Sequence, residues 1–120
     1  MASPDLPEAA ARILAEGLIR ILTTADPDTA CRVADAVAAG GGTLLELTDR
    51  TDASREVFAA AARHRRTSLP RLLLGAGTIL DAGAASFYLD AGAAFLLSPH
   101  QDDGIAEVCR RRGAVYLPGC

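Results

Sequence analysis

The chain reads as an α/β protein built from five strand–helix units. Short apolar runs begin near residues 18, 43, 71, 94 and 114. Stretches of helical period lie between them, so the chain alternates between two periodicities. Spacings of 20 to 28 residues between runs suit right-handed βαβ units and a parallel sheet.

The elements follow in order. The pattern predicts a helix over 8–16 that ends near Gly17, after a short Pro-Asp-Leu-Pro lead-in. Leu18 to Thr23 is the first strand. Asp26 is placed as an N-cap with Pro27 at the first helical position, and that helix runs to about Ala39 before Gly40-Gly41-Gly42 stops it. Thr43 to Thr48 is the second strand. A helix from about Asp52 to Arg65 follows, with Asp52 and Ser54 as candidate caps. Arg71 to Gly75 is the third strand, and a helix over roughly 81–91 leads to Gly92. Ala94 to Leu97 is the fourth strand, 102–112 is helical with Gly113 as its stop, and Ala114 to Leu117 is the fifth strand. The strands are nearly continuous apolar runs, as expected when both faces of a sheet are covered. Two architectures satisfy the pattern: a doubly wound open sheet, or part of a (β/α)8 barrel, since five units cannot close one.

Composition narrows the function classes. One domain over residues 1–120 is expected from 120 residues, half of them apolar. A formal net charge of −3 implies no general attraction to nucleic acid or to an anionic membrane. No apolar run approaches the length needed to span a bilayer. The opening Met-Ala-Ser-Pro-Asp-Leu-Pro-Glu lacks the basic region and apolar stretch of a secretory signal, so a cytoplasmic protein is expected. The three cysteines, Cys31, Cys109 and Cys120, form no CxxC pair and read as reduced thiols. All 12 basic residues are arginine. The only primary amine is therefore the N-terminal one.

Several residues have the chemistry of a site. Glu46 interrupts the apolar run Leu44-Leu45-Glu46-Leu47-Thr48. Burying an unpaired carboxylate costs several kcal/mol or raises its pKa. Strand alternation puts Glu46 and Thr48 on one face and Leu45 and Leu47 on the helix side. Glu46 is then either a general acid/base near the C-terminal end of a strand, where α/β sites gather, or a structural carboxylate paired with Arg50 or Arg20. Arg50 follows just past the strand and offers a two-pronged contact for a carboxylate. Gly75-Ala76-Gly77 lets a ligand or a neighbouring strand approach closely, and Thr78 beyond it has a hydroxyl at the next helix start. Ser98, Pro99 and His100 end the fourth strand at the same rim. No histidine–carboxylate cluster has metal-ligand spacing, and no cofactor is implied. The runs Arg63-His64-Arg65-Arg66 and Arg110-Arg111-Arg112 read as solvated helix C-termini favoured by the helix dipole.

Taken together, Glu-Leu-Thr-Asp-Arg, Gly-Ala-Gly-Thr, Ala-Gly-Ala-Ala-Phe-Leu-Leu-Ser-Pro and Leu-Pro-Gly, in this order over roughly residues 12–119, resemble the 2-dehydro-3-deoxy-phosphogluconate / 4-hydroxy-2-oxoglutarate aldolases. The resemblance implies a (β/α)8 TIM barrel, usually a homotrimer, and class I aldol cleavage to pyruvate plus an aldehyde. By it, Glu46 matches the proton-shuttling glutamate, Arg50 and Thr78 match the holders of the pyruvate carboxylate, and Pro99 lies in the rim lining the pocket. The family's Schiff-base lysine lies on a sixth strand and its phosphate site on strands seven and eight. An arginine often found at the end of strand one is replaced by Thr23 or Thr24. The 120 residues are thus expected to be the N-terminal five-eighths of such a barrel: a gene fragment, a truncated product or one half of a split enzyme. The alternatives to an aldolase are a non-catalytic partial-barrel subunit and a 2-oxo acid binding module. The expected partners are a 2-oxo acid and either copies of the same chain or a C-terminal barrel fragment.

Overall fold

A computed structural model describes residues 7–120. The elements alternate along the chain as α1 (Glu8–Glu16), β1 (Arg20–Leu22), α2 (Pro27–Ala39), β2 (Leu44–Thr48), α3 (Ser54–Ser68), β3 (Leu73–Gly77), α4 (Ala82–Asp90), β4 (Phe95–Ser98), α5 (Asp103–Arg112) and β5 (Val115–Pro118). The five strands form one parallel sheet in the order β1-β2-β3-β4-β5. This order settles the architecture. A doubly wound sheet reverses its strand order part-way and puts helices on both faces. Here the order never reverses, and α2 to α5 cover one face only. The sheet is wound as part of a (β/α) barrel, five strands of it.

Local chemistry explains most boundaries. Asp26, Asp81 and Asp102 each accept a hydrogen bond from a first-turn amide, of Thr29, Ala84 and Ile105 respectively, and so cap α2, α4 and α5. Gly17 and Gly113 take left-handed backbone at the ends of α1 and α5. Three predicted elements move their starts by two residues, the others by one at most. The first strand shrinks to Arg20–Leu22, because β1 has a neighbour on one side only. The third strand slides to Leu73–Gly77, because Gly75 and Gly77 pair with Glu46 and Thr48 inside the ladder. The helix α3 begins at Ser54, and neither Asp52 nor Ser54 caps it in the usual sense.

Two apolar layers flank the sheet. Leu45, Leu47, Leu72, Leu74, Ala76 and Leu96 pack under α2 to α5, with Phe58 and Tyr88 at the centre. Phe58 and Phe87 each meet the Tyr88 ring edge-on at 5.2 Å. On the other face, Leu44, Leu73 and Phe95 pack with Ala9 and Ile13 of α1, which closes the inner face near the strand N-termini. Arg65 donates to the carbonyls of Leu72 and Pro70, so part of its basic run ties α3 to the chain entering β3. His64 meets Asp35 of α2 at 2.6 Å. All three cysteines are unpaired. Among the described residues no helix is long and apolar enough to cross a membrane. The Pro-Asp-Leu-Pro lead-in and the N-terminal amine lie largely or wholly outside the described residues.

Candidate active site

The strand C-termini converge on one rim, and the site grows from β2. Its alternation sends Leu45 and Leu47 to the helices and Leu44 and Glu46 to the inner face. Glu46 is only 4 % exposed, and its Oε1 has no hydrogen-bond partner. Neither predicted ion pair forms. Arg20 sits at the other end of the sheet, where its Nη1 bonds Glu16 at 2.7 Å. Arg50 directs its Nε to Thr78 Oγ1 at 2.9 Å. Burial pushes the Glu46 carboxyl above its ordinary value, and the nearby Arg50 charge only partly offsets this.

The two glycines of β3 explain how a glutamate fits there. A Cβ at Gly77 would coincide with the Glu46 carboxylate, and a Cβ at Gly75 would overlap the Phe95 ring. The Gly-Ala-Gly segment is therefore not a ligand turn. It is a strand whose missing side chains leave room for a neighbour's carboxylate and ring.

Thr78 follows at once, with φ +58°. A β-branched residue in the left-handed region costs on the order of 1–3 kcal/mol, and such strain concentrates at functional positions. Arg50 has no carboxylate within ion-pair distance among the described residues. Its Nη atoms keep their hydrogens for a ligand. Because Thr78 Oγ1 accepts from Arg50 Nε, its own hydrogen also remains to be given. The pair thus offers a fork plus a hydroxyl, the donor set a planar carboxylate requires.

The remaining rim residues divide. Thr48 Oγ1 meets Thr23 Oγ1 at 2.6 Å and extends the β1–β2 contact past the last paired residues, Leu22 and Leu47. Ser98 ends β4 at the same end of the sheet, but its hydroxyl is turned to Tyr116, which packs with the helix-side core. A directed chain results. Asp102 N donates to Tyr116 OH, Tyr116 to Ser98 Oγ, and Ser98 to the His100 carbonyl. It fixes the segment on which Pro99 and His100 are exposed. Sequence reasoning missed Tyr116, which looks like one more apolar-run residue. It also missed Gly77 as the seat of Glu46, for which register with β2 was the needed signal. Among the described residues Tyr88 is the other buried side chain whose polar atom has no hydrogen-bond partner; burial and the nearby Asp49 carboxylate raise its pKa, so it stays protonated. No group of three or more metal-ligating side chains assembles among the described residues.

Five parallel strands in unbroken order, with an inward Glu46 and the Arg50–Thr78 pair at their C-terminal ends, define a TIM-barrel-type protein. A family model, "KDPG and KHG aldolase", matches residues 10–120, and the chain belongs to that family. It is 32% identical over 102 residues to the 2-dehydro-3-deoxy-phosphogluconate aldolase of Pseudoalteromonas atlantica, covering 85% of this chain and 46% of that protein. The 2-keto-3-deoxy-6-phosphogluconate aldolase of Zymomonas mobilis, solved with 3-phosphoglycerate, superposes with a TM-score of 0.81 at 26% identity, over 97% of this chain and 53% of that one. The KDPG aldolase of Legionella pneumophila, solved with pyruvate captured as a covalent carbinolamine, gives a TM-score of 0.74 at 27% identity, over 85% and 48%. The chain spans about half the length of these relatives.

Proposed function

We propose that residues 1–120 form the N-terminal portion of a cytoplasmic 2-oxo acid aldolase that cleaves 2-keto-3-deoxy-(6-phospho)gluconate or 4-hydroxy-2-oxoglutarate to pyruvate and an aldehyde. The observation that carries this reading is Glu46, a buried carboxylate with an unpartnered oxygen, seated over Gly77 beside the Arg50–Thr78 pair. Arg50 and Thr78 hold the carboxylate of the pyruvate half, Pro99 lines the rim, and Glu46 gives and takes the protons of addition and C–C cleavage. A carboxyl with a raised pKa suits both directions of transfer.

Class I cleavage also needs a desolvated primary amine. These residues contain no lysine, and arginine cannot replace it because guanidinium stays protonated. The family's lysine lies on a later strand, so in this reading the amine comes from a further barrel segment, continuous or supplied by a second chain. The open sheet supports this. The strands β1 and β5 each have one neighbour, and Ile21, paired with Glu46 across β1–β2, is 63 % exposed. Unpaired parallel edges beside exposed apolar side chains favour pairing with another barrel segment or assembly as a homo-oligomer.

Two experiments test the reading. Pyruvate titrated into ¹⁵N-labelled chain is expected to shift the Thr78 amide, and Arg50→Ala to abolish the shift. Shifts that survive Arg50→Ala overturn the carboxylate role. Borohydride reduction with pyruvate is expected to give no side-chain adduct on the chain alone and an adduct on the lysine of an added C-terminal barrel fragment. Turnover by the chain alone that is lost on Glu46→Gln overturns the need for that segment.

A further inference from the structure

The turn between β2 and α3 has an unusual hydrogen-bond pattern. Ser54 is only 4 % exposed, and it opens α3 without being capped by a preceding side chain. Its hydroxyl reaches backward instead. Ser54 Oγ accepts from the Arg50 amide at 3.1 Å and from the Thr51 amide at 2.9 Å. With both lone pairs used, the Ser54 hydrogen goes to Thr51 Oγ1 at 3.2 Å, which also accepts from the Ala53 amide. One residue earlier, the Asp49 amide donates to the Gly77 carbonyl at 2.9 Å. Three successive amides, at Asp49, Arg50 and Thr51, are thereby committed inside the protein.

Two consequences follow. First, a turn of consecutive amides at the C-terminal end of a strand commonly makes an anion nest, but here those donors are consumed. An anion at this turn meets the Arg50 side chain rather than the amides of residues 49–51. Second, the Arg50 backbone is held on both sides, by the sheet at Asp49 and by Ser54 at Arg50 and Thr51. The side chain then leaves the turn in one direction, toward Thr78, whose left-handed backbone presents Oγ1 to Arg50 Nε.

We infer that Ser54 is the positioning residue of the carboxylate clamp: it sequesters the turn amides and aims Arg50 at Thr78, so that the clamp is set before a 2-oxo acid arrives. This rests on the carboxylate role proposed for Arg50 and Thr78. Preorganisation of this kind raises affinity by removing an ordering cost that binding would otherwise bear.

The test reads Arg50 directly, in the free protein. The Arg50 Nε–Hε cross-peak is expected to be resolved and protected from exchange in the parent. Ser54→Ala should broaden it and weaken pyruvate binding, followed at the Thr78 amide, by about tenfold, because the cost of ordering Arg50 returns to the binding step. Ser54→Thr keeps the acceptor and should restore both readouts. Ser98→Ala removes a hydroxyl of similar burial and bonding from the other side of the rim, and should leave the Arg50 signal in place. If Ser54→Ala lowers stability too far to measure, Thr51→Ala, which removes the receiver of the Ser54 hydrogen and the acceptor of the Ala53 amide but leaves Ser54 Oγ on the Arg50 and Thr51 amides, should give a smaller change of the same kind. An unchanged Arg50 signal in Ser54→Ala overturns the inference, as does equal weakening by Ser54→Ala and Ser98→Ala. If Arg50→Ala leaves the pyruvate response intact, the carboxylate reading fails, while the Arg50 cross-peak still judges Ser54.

Discussion

Glu16, at the N-terminal end of the sheet, has both carboxylate oxygens engaged, whereas Glu46, toward the C-terminal end, has an oxygen that bonds nothing. Glu16 accepts from Thr43 Oγ1, from the Thr43 amide and from Arg20 Nη1, all within 3.2 Å. Those bonds, the Thr43 hydroxyl first and Arg20 next, hold its pKa below the ordinary 4.5. They tie α1 to the starts of β1 and β2. Glu46 is more deeply buried than Glu16 and has no such set, so burial drives its pKa the other way. Both carboxylates are glutamates, one at the end of α1 and one within β2. The end that closes the barrel satisfies its charge, and the end that holds the candidate site leaves its charge unmet. An unsatisfied buried acid is poorly suited to structure and well suited to proton transfer.

The glycines beneath Phe95 and Glu46 sharpen this contrast most. Gly75→Ala forces the fully buried Phe95 ring out of place, and urea unfolding should show a loss of about 1–3 kcal/mol. Gly77→Ala meets only the end of a flexible side chain, so its stability loss should be smaller. Its effect falls on the site instead. The displaced carboxyl regains water, and NMR titration should find the Glu46 pKa moved back toward 4.5. Equal stability losses with an unmoved Glu46 titration would erase the distinction between the two positions.

At the opposite end, Glu16→Ala leaves the Thr43 amide without its acceptor and should cost about 1 kcal/mol in urea unfolding, since the partly exposed carboxylate is screened by solvent. Amides of α1 should exchange faster in that variant, while those of β3 should not. A uniform change across both would mean that Glu16 does not serve α1 in particular.

The smallest expected effects have opposite signs with pH. A lowered pKa makes Glu16 stabilising above its unfolded value, and that contribution is lost as pH falls through the folded value. A raised pKa makes the Glu46 contribution present below about pH 4 and lost as pH rises through its folded value. Relative to the parent, Glu46→Gln should therefore unfold at a higher temperature at pH 7 and lose that advantage in acid. Glu16→Gln should unfold at a lower temperature at pH 7 and converge with the parent in acid. Thermal scans at several pH values check both, and curves of the same sign would break the comparison.

Local chemistry determined much of this protein. Asp26, Asp81 and Asp102 each cap the helix that follows them, and Gly17 and Gly113 stop helices because left-handed backbone costs them little. The alternation of β2 alone put Glu46 on the face away from Leu45 and Leu47. These features depend on residues a few positions apart, and a linear pattern carries them. Register and direction between distant segments depend on packing, and only the tertiary structure decided them. The unbroken strand order excluded a doubly wound sheet. Pairing of Glu46 with Gly75 and of Thr48 with Gly77 made the Gly-Ala-Gly segment, open in sequence to either a ligand or a neighbouring strand, the seat of a carboxylate. Ser98, legible as a rim hydroxyl, was drawn to Tyr116 of β5, and Ser54, legible as a forward cap, was drawn backward to Arg50 and Thr51. A hydroxyl bonds whichever unpaired group the fold brings within about 3 Å, and sequence spacing does not encode which group that is.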